Sequence, residues 1–234
     1  MKNFYLFLYN RTVKIKIMKK YIICGMLLFY CIGSRGQELK FGVFVEPQLS
    51  WLTPDAKNID RDGFRIGING GMIMDKYFAK NYAFTTGVSI SNIGGNLFYE
   101  DSLTIKTAEA EQLMTPRTTV DYRLQYVSVP LGLKFKTSQI GYFTFFAQLG
   151  FTPQITIRAR ADASRNQLDR ENIIDEVNLL NLSYFFGGGI GYSLGGNTEL
   201  IGGILFNNGF IDVLKSKNSR DTLSFLSLRF GIMF

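Results

Sequence analysis

The 234-residue chain contains no histidine. That removes His-dependent triads, histidine general bases and most transition-metal sites in one step. Its two cysteines, Cys24 and Cys31, both lie near the N-terminus, so the body of the chain offers no thiol for a disulfide, a metal or a nucleophile. No apolar run reaches the roughly 20 residues that a membrane-crossing helix takes, and no Pro- or Ser-rich linker divides the chain. Gly187 to Gly191, with Gly195 and Gly196, is glycine-rich but lacks the Gly-Lys-Ser/Thr of a phosphate loop. Such glycines in a strand let bulky neighbours pack closely. No catalytic, cofactor-binding or metal residue is therefore expected.

What is present begins with an address. Lys19 and Lys20 precede a twelve-residue apolar run, Tyr21 to Ile32, followed by Gly33-Ser34-Arg35-Gly36 before Gln37. This is the three-part pattern of a secretory signal peptide. Residues 1–17 precede a better start at Met18 and read equally as an overlong gene start or a long n-region. Cys31 follows the bulky Phe29 and Tyr30, which disfavours it as a lipoprotein site. Residues 1–36 hold seven of the 26 Lys and Arg and none of the 19 Asp and Glu, so the remainder is balanced at 19 against 19. The basic character belongs to the leader and gives no support for a nucleic-acid partner. The expected organisation is an N-terminal extension with a cleaved signal peptide over 1–36, then one domain over 37–234.

That domain reads as eight strands. Side chains alternate between the faces of a strand. Phe41, Val43, Val45, Pro47 and Leu49 oppose Gly42, Phe44, Glu46, Gln48 and Ser50; Phe143, Phe145, Ala147, Leu149 and Phe151 oppose Thr144, Phe146, Gln148, Gly150 and Thr152. The same pattern recurs over about 63–74, 82–92, 181–194, 198–206 and the last strand, with Leu226, Leu228, Phe230, Ile232 and Phe234 on one face. A further strand starts near Val120 with Tyr122, Leu124 and Tyr126 on the apolar face, and the apolar set then moves to Val127, Val129 and Leu131. That slip predicts a bulge at Tyr126 and Val127.

The connections alternate between long and short, as in bacterial outer-membrane barrels. Strands of 10–13 residues, tilted about 45°, reach roughly 25–30 Å, the height of a bilayer's apolar band. Trp51, Tyr77, Tyr82, Phe98, Tyr99 and Tyr142 lie near strand ends, where aromatic girdles sit. The expected fold is an eight-stranded antiparallel up-and-down transmembrane β-barrel with its apolar face in lipid and its small polar face inward. A soluble lipocalin-like barrel is the opposite arrangement, and it would leave Gly and Ser facing water around a cavity lined by Phe, Leu and Val.

Eight strands enclose a space just wide enough for side chains to fill. Phe44, Phe146 and Phe185 are the expected bulky fillers. Glu46 on the first strand and Arg229 on the last are neighbours when the ring closes, and a lumenal ion pair is expected there. The loop 159–180 mixes charges densely and suggests a short helix capped by Ser164; the loop 97–119 carries Glu109, Glu111, Leu113 and Met114.

Tyr126 to Thr137 (YVSVPLGLKFKT), Gly187 to Leu194 (GGGIGYSL), and Leu205 to Leu214 (LFNNGFIDVL) before a Phe-terminated last strand resemble the PorT-like outer membrane beta-barrel proteins of Bacteroidetes. The likeness spans about Leu39 to Phe234. Phe206-Asn207 stands where that family usually has an aromatic-Tyr pair. The resemblance implies the barrel, and through PorT it implies an accessory role in an envelope or type IX secretion complex. Phe230 and the terminal Phe234 look like the signal read by the barrel assembly machinery. The expected function is a non-enzymatic outer-membrane barrel, structural or partner-binding through its extracellular loops, with both termini periplasmic and with lipid, the assembly machinery and an envelope complex as partners. A narrow porin-like channel is the alternative.

Overall fold

A computed structural model of the chain describes residues 38–106, 111–163, 168–215 and 219–234. The leader expected over 1–36 lies outside them. Eight walls form the molecule: β1 (Leu39–Pro54), β2 (Arg65–Ala79), β3 (Tyr82–Tyr99), β4 in two segments (Thr118–Ser128 and Leu131–Lys136), β5 (Phe143–Ala163), β6 (Leu180–Gly195), β7 (Thr198–Gly209) and β8 (Asp221–Met233). Each pairs antiparallel with its neighbours in sequence, and β8 pairs back onto β1, closing the ring. Closure leaves no free edge among the walls. At the seam, Phe41 and Phe234 exchange backbone hydrogen bonds of 2.7 and 2.9 Å.

The short connections are tighter than the sequence suggested. Lys80-Asn81 joins β2 to β3, and Gly196-Asn197 joins β6 to β7, where Gly195 (φ +101°) and Gly196 (φ +59°) adopt left-handed backbone open to glycine at no steric cost. These turns, with the start of β1 and the end of β8, define the turn end. The opposite, loop end is longer than expected: β3 continues to Tyr99 and β5 to Ala163. It carries a three-residue strand at Ile59–Arg61 on β3, a separate hairpin of Leu103–Lys106 with Glu111–Met114, a strand at Leu168–Asn172 on β5 and a 3-10 turn at Ile174–Glu176. Ser164, the expected helix cap, lies outside the described residues, and the described part of that loop holds strand and 3-10 turn.

Over the turn-end two thirds, the alternation sorts as a lipid-facing barrel requires. Leu131, Phe145 and Phe230 are about half exposed on the outside (51, 48 and 55%), while Glu46, Gln48, Ser91, Gln148 and Arg229 are buried within. Aromatic side chains ring both margins of this band. At the turn end Phe78 packs on Phe84 and Tyr82 on Phe135, with centroids 4.8 and 5.7 Å apart. Toward the loop end Trp51 meets Phe64 edge-on at 5.5 Å and Tyr184 meets Phe210 at 5.0 Å. Tyr77 and Tyr99 do not join these girdles; both point inward and are buried.

Beyond the band, the polarity inverts. Tyr122, Leu124 and Tyr126, expected outside, are inward and buried, and Arg123 and Gln125 take the outer face. The alternation of β4 runs unbroken from Thr118 to Ser128, so the apparent slip at Tyr126 and Val127 is not an extra residue in that strand. The backbone keeps its phase while the dry side changes from the outside to the inside. The register break does fall beside Tyr126, but in the opposite strand: Gln125 faces Arg158 and Tyr126 faces Thr156, leaving Ile157 as the additional residue of β5. The bulge turns Arg158, which strict alternation from Thr144 would place inward, to the surface.

Candidate functional site in the lumen and at the loop end

The inward positions of the band form a stack of ion pairs that the pleat places one above another. Register sets β1 against β8 with Val45 opposite Phe230 and Gln48 opposite Ser227, which brings Glu46 and Arg229 side by side. Arg229 donates to one oxygen of Glu46, and Asn69 donates to the other at 2.8 Å. The guanidinium also lies 4.6 Å from the ring centroid of Phe44. Two further pairs stand nearer the turn end: Lys134 with Asp75 at 2.6 Å, and Lys136 with Glu199 at 2.5 Å. Thr85 donates to Asp75 at 2.6 Å and Thr144 donates to Glu199. Lys134 lies over Phe146, 4.6 Å from its centroid.

The inward glycines make room for these bulky groups. A Cβ on Gly132 would sit 2.7 Å from the Phe185 ring, and one on Gly189 would sit 2.6 Å from that of Phe146. A void of about 30 Å³ lies among Glu46, Gln48, Asn69, Ser91, Gln154 and Arg229, room for about two waters. Among the described residues, the side-chain nitrogen of Gln48 and oxygen of Asn69 find no hydrogen-bond partner, as expected of groups that bind water.

Above this stack the lumen is filled by an apolar core. Leu52, Ile93, Leu97, Val120, Tyr122, Tyr126, Leu223 and Phe225 are buried together, and Tyr99 and Tyr122 share a 2.8 Å hydrogen bond between hydroxyls. Burial pushes both phenols well above their ordinary range; the bond partly offsets this at Tyr99, and at Tyr122 the neighbouring phenol adds to it. Two layers of different chemistry thus fill the lumen, an ionic stack and an apolar core.

On the outer wall at the same height runs a charged belt. Arg65 donates to both oxygens of Asp121 at 2.5 and 2.7 Å, Arg123 bonds Asp121 at 3.0 Å and Asp162 at 2.9 Å. Arg160 stands directly opposite Arg123 in the ladder and Arg158 opposite Gln125.

Residues 34–222 match the family described as Outer membrane protein beta-barrel domain. The chain belongs to that family. The outer membrane barrel has no match among curated proteins. Solved structures similar to it include Neisserial surface protein A (12% identity, 84% of this chain and 99% of that one, TM-score 0.46), Ail of Yersinia pestis with a heparin analogue (16%, 84% and 99%, 0.37) and OprG from Pseudomonas aeruginosa (11%, 85% and 96%, 0.39). Among the described residues no helix is long and apolar enough to cross a membrane.

Of the residues singled out by sequence, the barrel brings Glu46 and Arg229 together and leaves Phe230 and Phe234 on the outer surface, both 55% exposed. Sequence reasoning missed the other two lumenal pairs. The strand expected over about 63–74 stops one residue short of Asp75, and Lys134 and Lys136 had no partner assigned. Extending the alternation of that strand by one position would have set Asp75 inward, two residues from Ile73 on the same face.

Proposed function

We propose that this outer membrane barrel is a closed, non-enzymatic scaffold that acts through its loop end, contacting an envelope or secretion complex in the manner the PorT-like resemblance implies. The observation carrying this reading is the apolar plug around Leu52, Tyr126 and Leu223, stacked on the ion pairs. A barrel sealed twice gives solutes no path and leaves its surfaces as the working parts. In this reading the loop end faces the exterior, both termini are periplasmic, residues 1–36 are removed on export, and Phe230 and Phe234 present the signal for the barrel assembly machinery. The long loop strands and the separate hairpin ending at Met114 support a partner-binding role.

The narrow-channel alternative draws on one feature, the charged turn-end half of the lumen with a small polar void beside it. Planar-bilayer recording separates the two. The closed scaffold stays silent for the wild-type protein, and steady single-channel steps would favour the pore.

A further inference from the structure

We infer that the outer wall at the loop-end margin is a binding site for a phosphorylated glycolipid of the outer leaflet, with Arg158 and Arg160 as its phosphate ligands. The inference rests on the reading above only for which leaflet the loop end meets.

Two observations on either side of Ile157 carry it. The first is uncompensated charge. Asp121 and Asp162 neutralise Arg65 and Arg123, but Arg158 and Arg160 are exposed and, among the described residues, neither makes an ion pair. Arg160 also faces Arg123 across the ladder, but the two carboxylates on this wall are already engaged by Arg65 and Arg123. These side chains border a groove of about 580 Å³ with Asn92 and Gln125 as further hydrogen-bonding groups. Guanidinium forks bind phosphate in two-point contacts, and two of them suit a headgroup bearing more than one.

The second observation is a seat for acyl chains directly below. An apolar groove of about 300 Å³ runs along the same strand, lined by Val127, Val129, Ile155, Leu180 and Ile211. It opens where β4 breaks between Ser128 and Leu131. Ile155 and Arg158 are three residues apart in β5, roughly 10 Å, the offset between a lipid's first methylenes and its headgroup charge. The bulge at Ile157 is what turns Arg158 to the same wall as the groove. A chain in the groove and phosphates on the arginines describe one amphiphile lying along β5. A free anion would use only the upper half of the site, and a lipid without phosphate only the lower.

The test uses the full-length barrel purified in detergent and native mass spectrometry with three probes: bis-phosphorylated lipid A, the same lipid with its phosphates removed, and phosphatidylglycerol. Wild-type barrel should retain one bis-phosphorylated lipid A in preference to the other two. Arg158→Gln with Arg160→Gln should weaken that retention about 30-fold, with Arg160→Gln alone between them. Both residues are exposed and unpaired, and heat-modifiable migration on gels checks that the variants remain barrels. Equal retention of all three probes by the wild type, or undiminished retention by the double variant, overturns the site. Labelling of Leu113→Cys from outside intact cells scores the orientation by a separate readout, so a wrong orientation and an absent site are told apart.

Discussion

Ile157 and Arg158 are consecutive residues of β5, and both point outward. The bulge between them lets one strand serve two environments: Phe143 to Ile157 present an oily exterior, and Arg158 to Ala163 a charged one. Removing Ile157 would restore strict alternation with Arg158 still outside and Ala159 still inside. We expect the Ile157 deletion to assemble as a heat-modifiable barrel, whereas deletion of Gly150, in the regular part of β5, reverses every side chain beyond it and does not. Failure of both deletions alike would contradict this account.

The plug should cost more to erode than the lipid-facing wall. Leu52 is fully buried, and Leu52→Ala removes packing that cannot be refilled, about 2–5 kcal/mol. Leu131→Ala, whose side chain meets acyl chains that can rearrange, should cost less. Urea unfolding of the two variants in lipid vesicles checks the order.

The paired side chains of Lys134 and Asp75 are only 3% and 0% exposed. Lys134→Met strands a carboxylate in the lumen and should destabilise by about 3–5 kcal/mol. Adding Asp75→Leu removes the stranded charge and should recover much of the loss. A double-mutant cycle by urea unfolding measures the coupling, and simple additivity would mean that the pair is solvated rather than sealed.

Asp221 opens β8 at the loop end, above the apolar band. Burial raises its carboxyl above the ordinary 3.8; a hydrogen bond from Ser219 offsets this in part, and the nearby Asp212 adds to it. A raised value in the folded state means that folding favours the protonated form, so this contribution is fully present below 3.8 and fades as pH rises through the raised value. Limited proteolysis at the start of β8 should therefore speed up as pH climbs out of the acid range. Asp221→Asn should flatten that profile and slow cleavage at neutral pH.

The ring was readable because lipid and lumen impose opposite demands on adjacent residues, and Phe41, Val43 and Val45 against Phe44 and Glu46 record both. Alternation identifies two faces, yet it does not say which one is dry. Tyr122, Leu124 and Tyr126 were assigned to lipid because they are apolar, but their strand has already left the band and their side of it is the interior. The charges at Arg123, Arg158 and Arg160 mark that exit, since cations on an outer face belong above the acyl region. Lys134 and Asp75 escaped for another reason: their strands lie side by side only through β3, which pairs both, and no local pattern links positions 59 residues apart.

The six residues of β5 beyond Ile157 lift the loops roughly 15 Å along the axis. Because that collar has its own oily filling, its packing does not depend on acyl chains around it. A partner docking on the loops would meet a platform held clear of the headgroups, and sideways force on it would be borne by the collar before it reached the lipid.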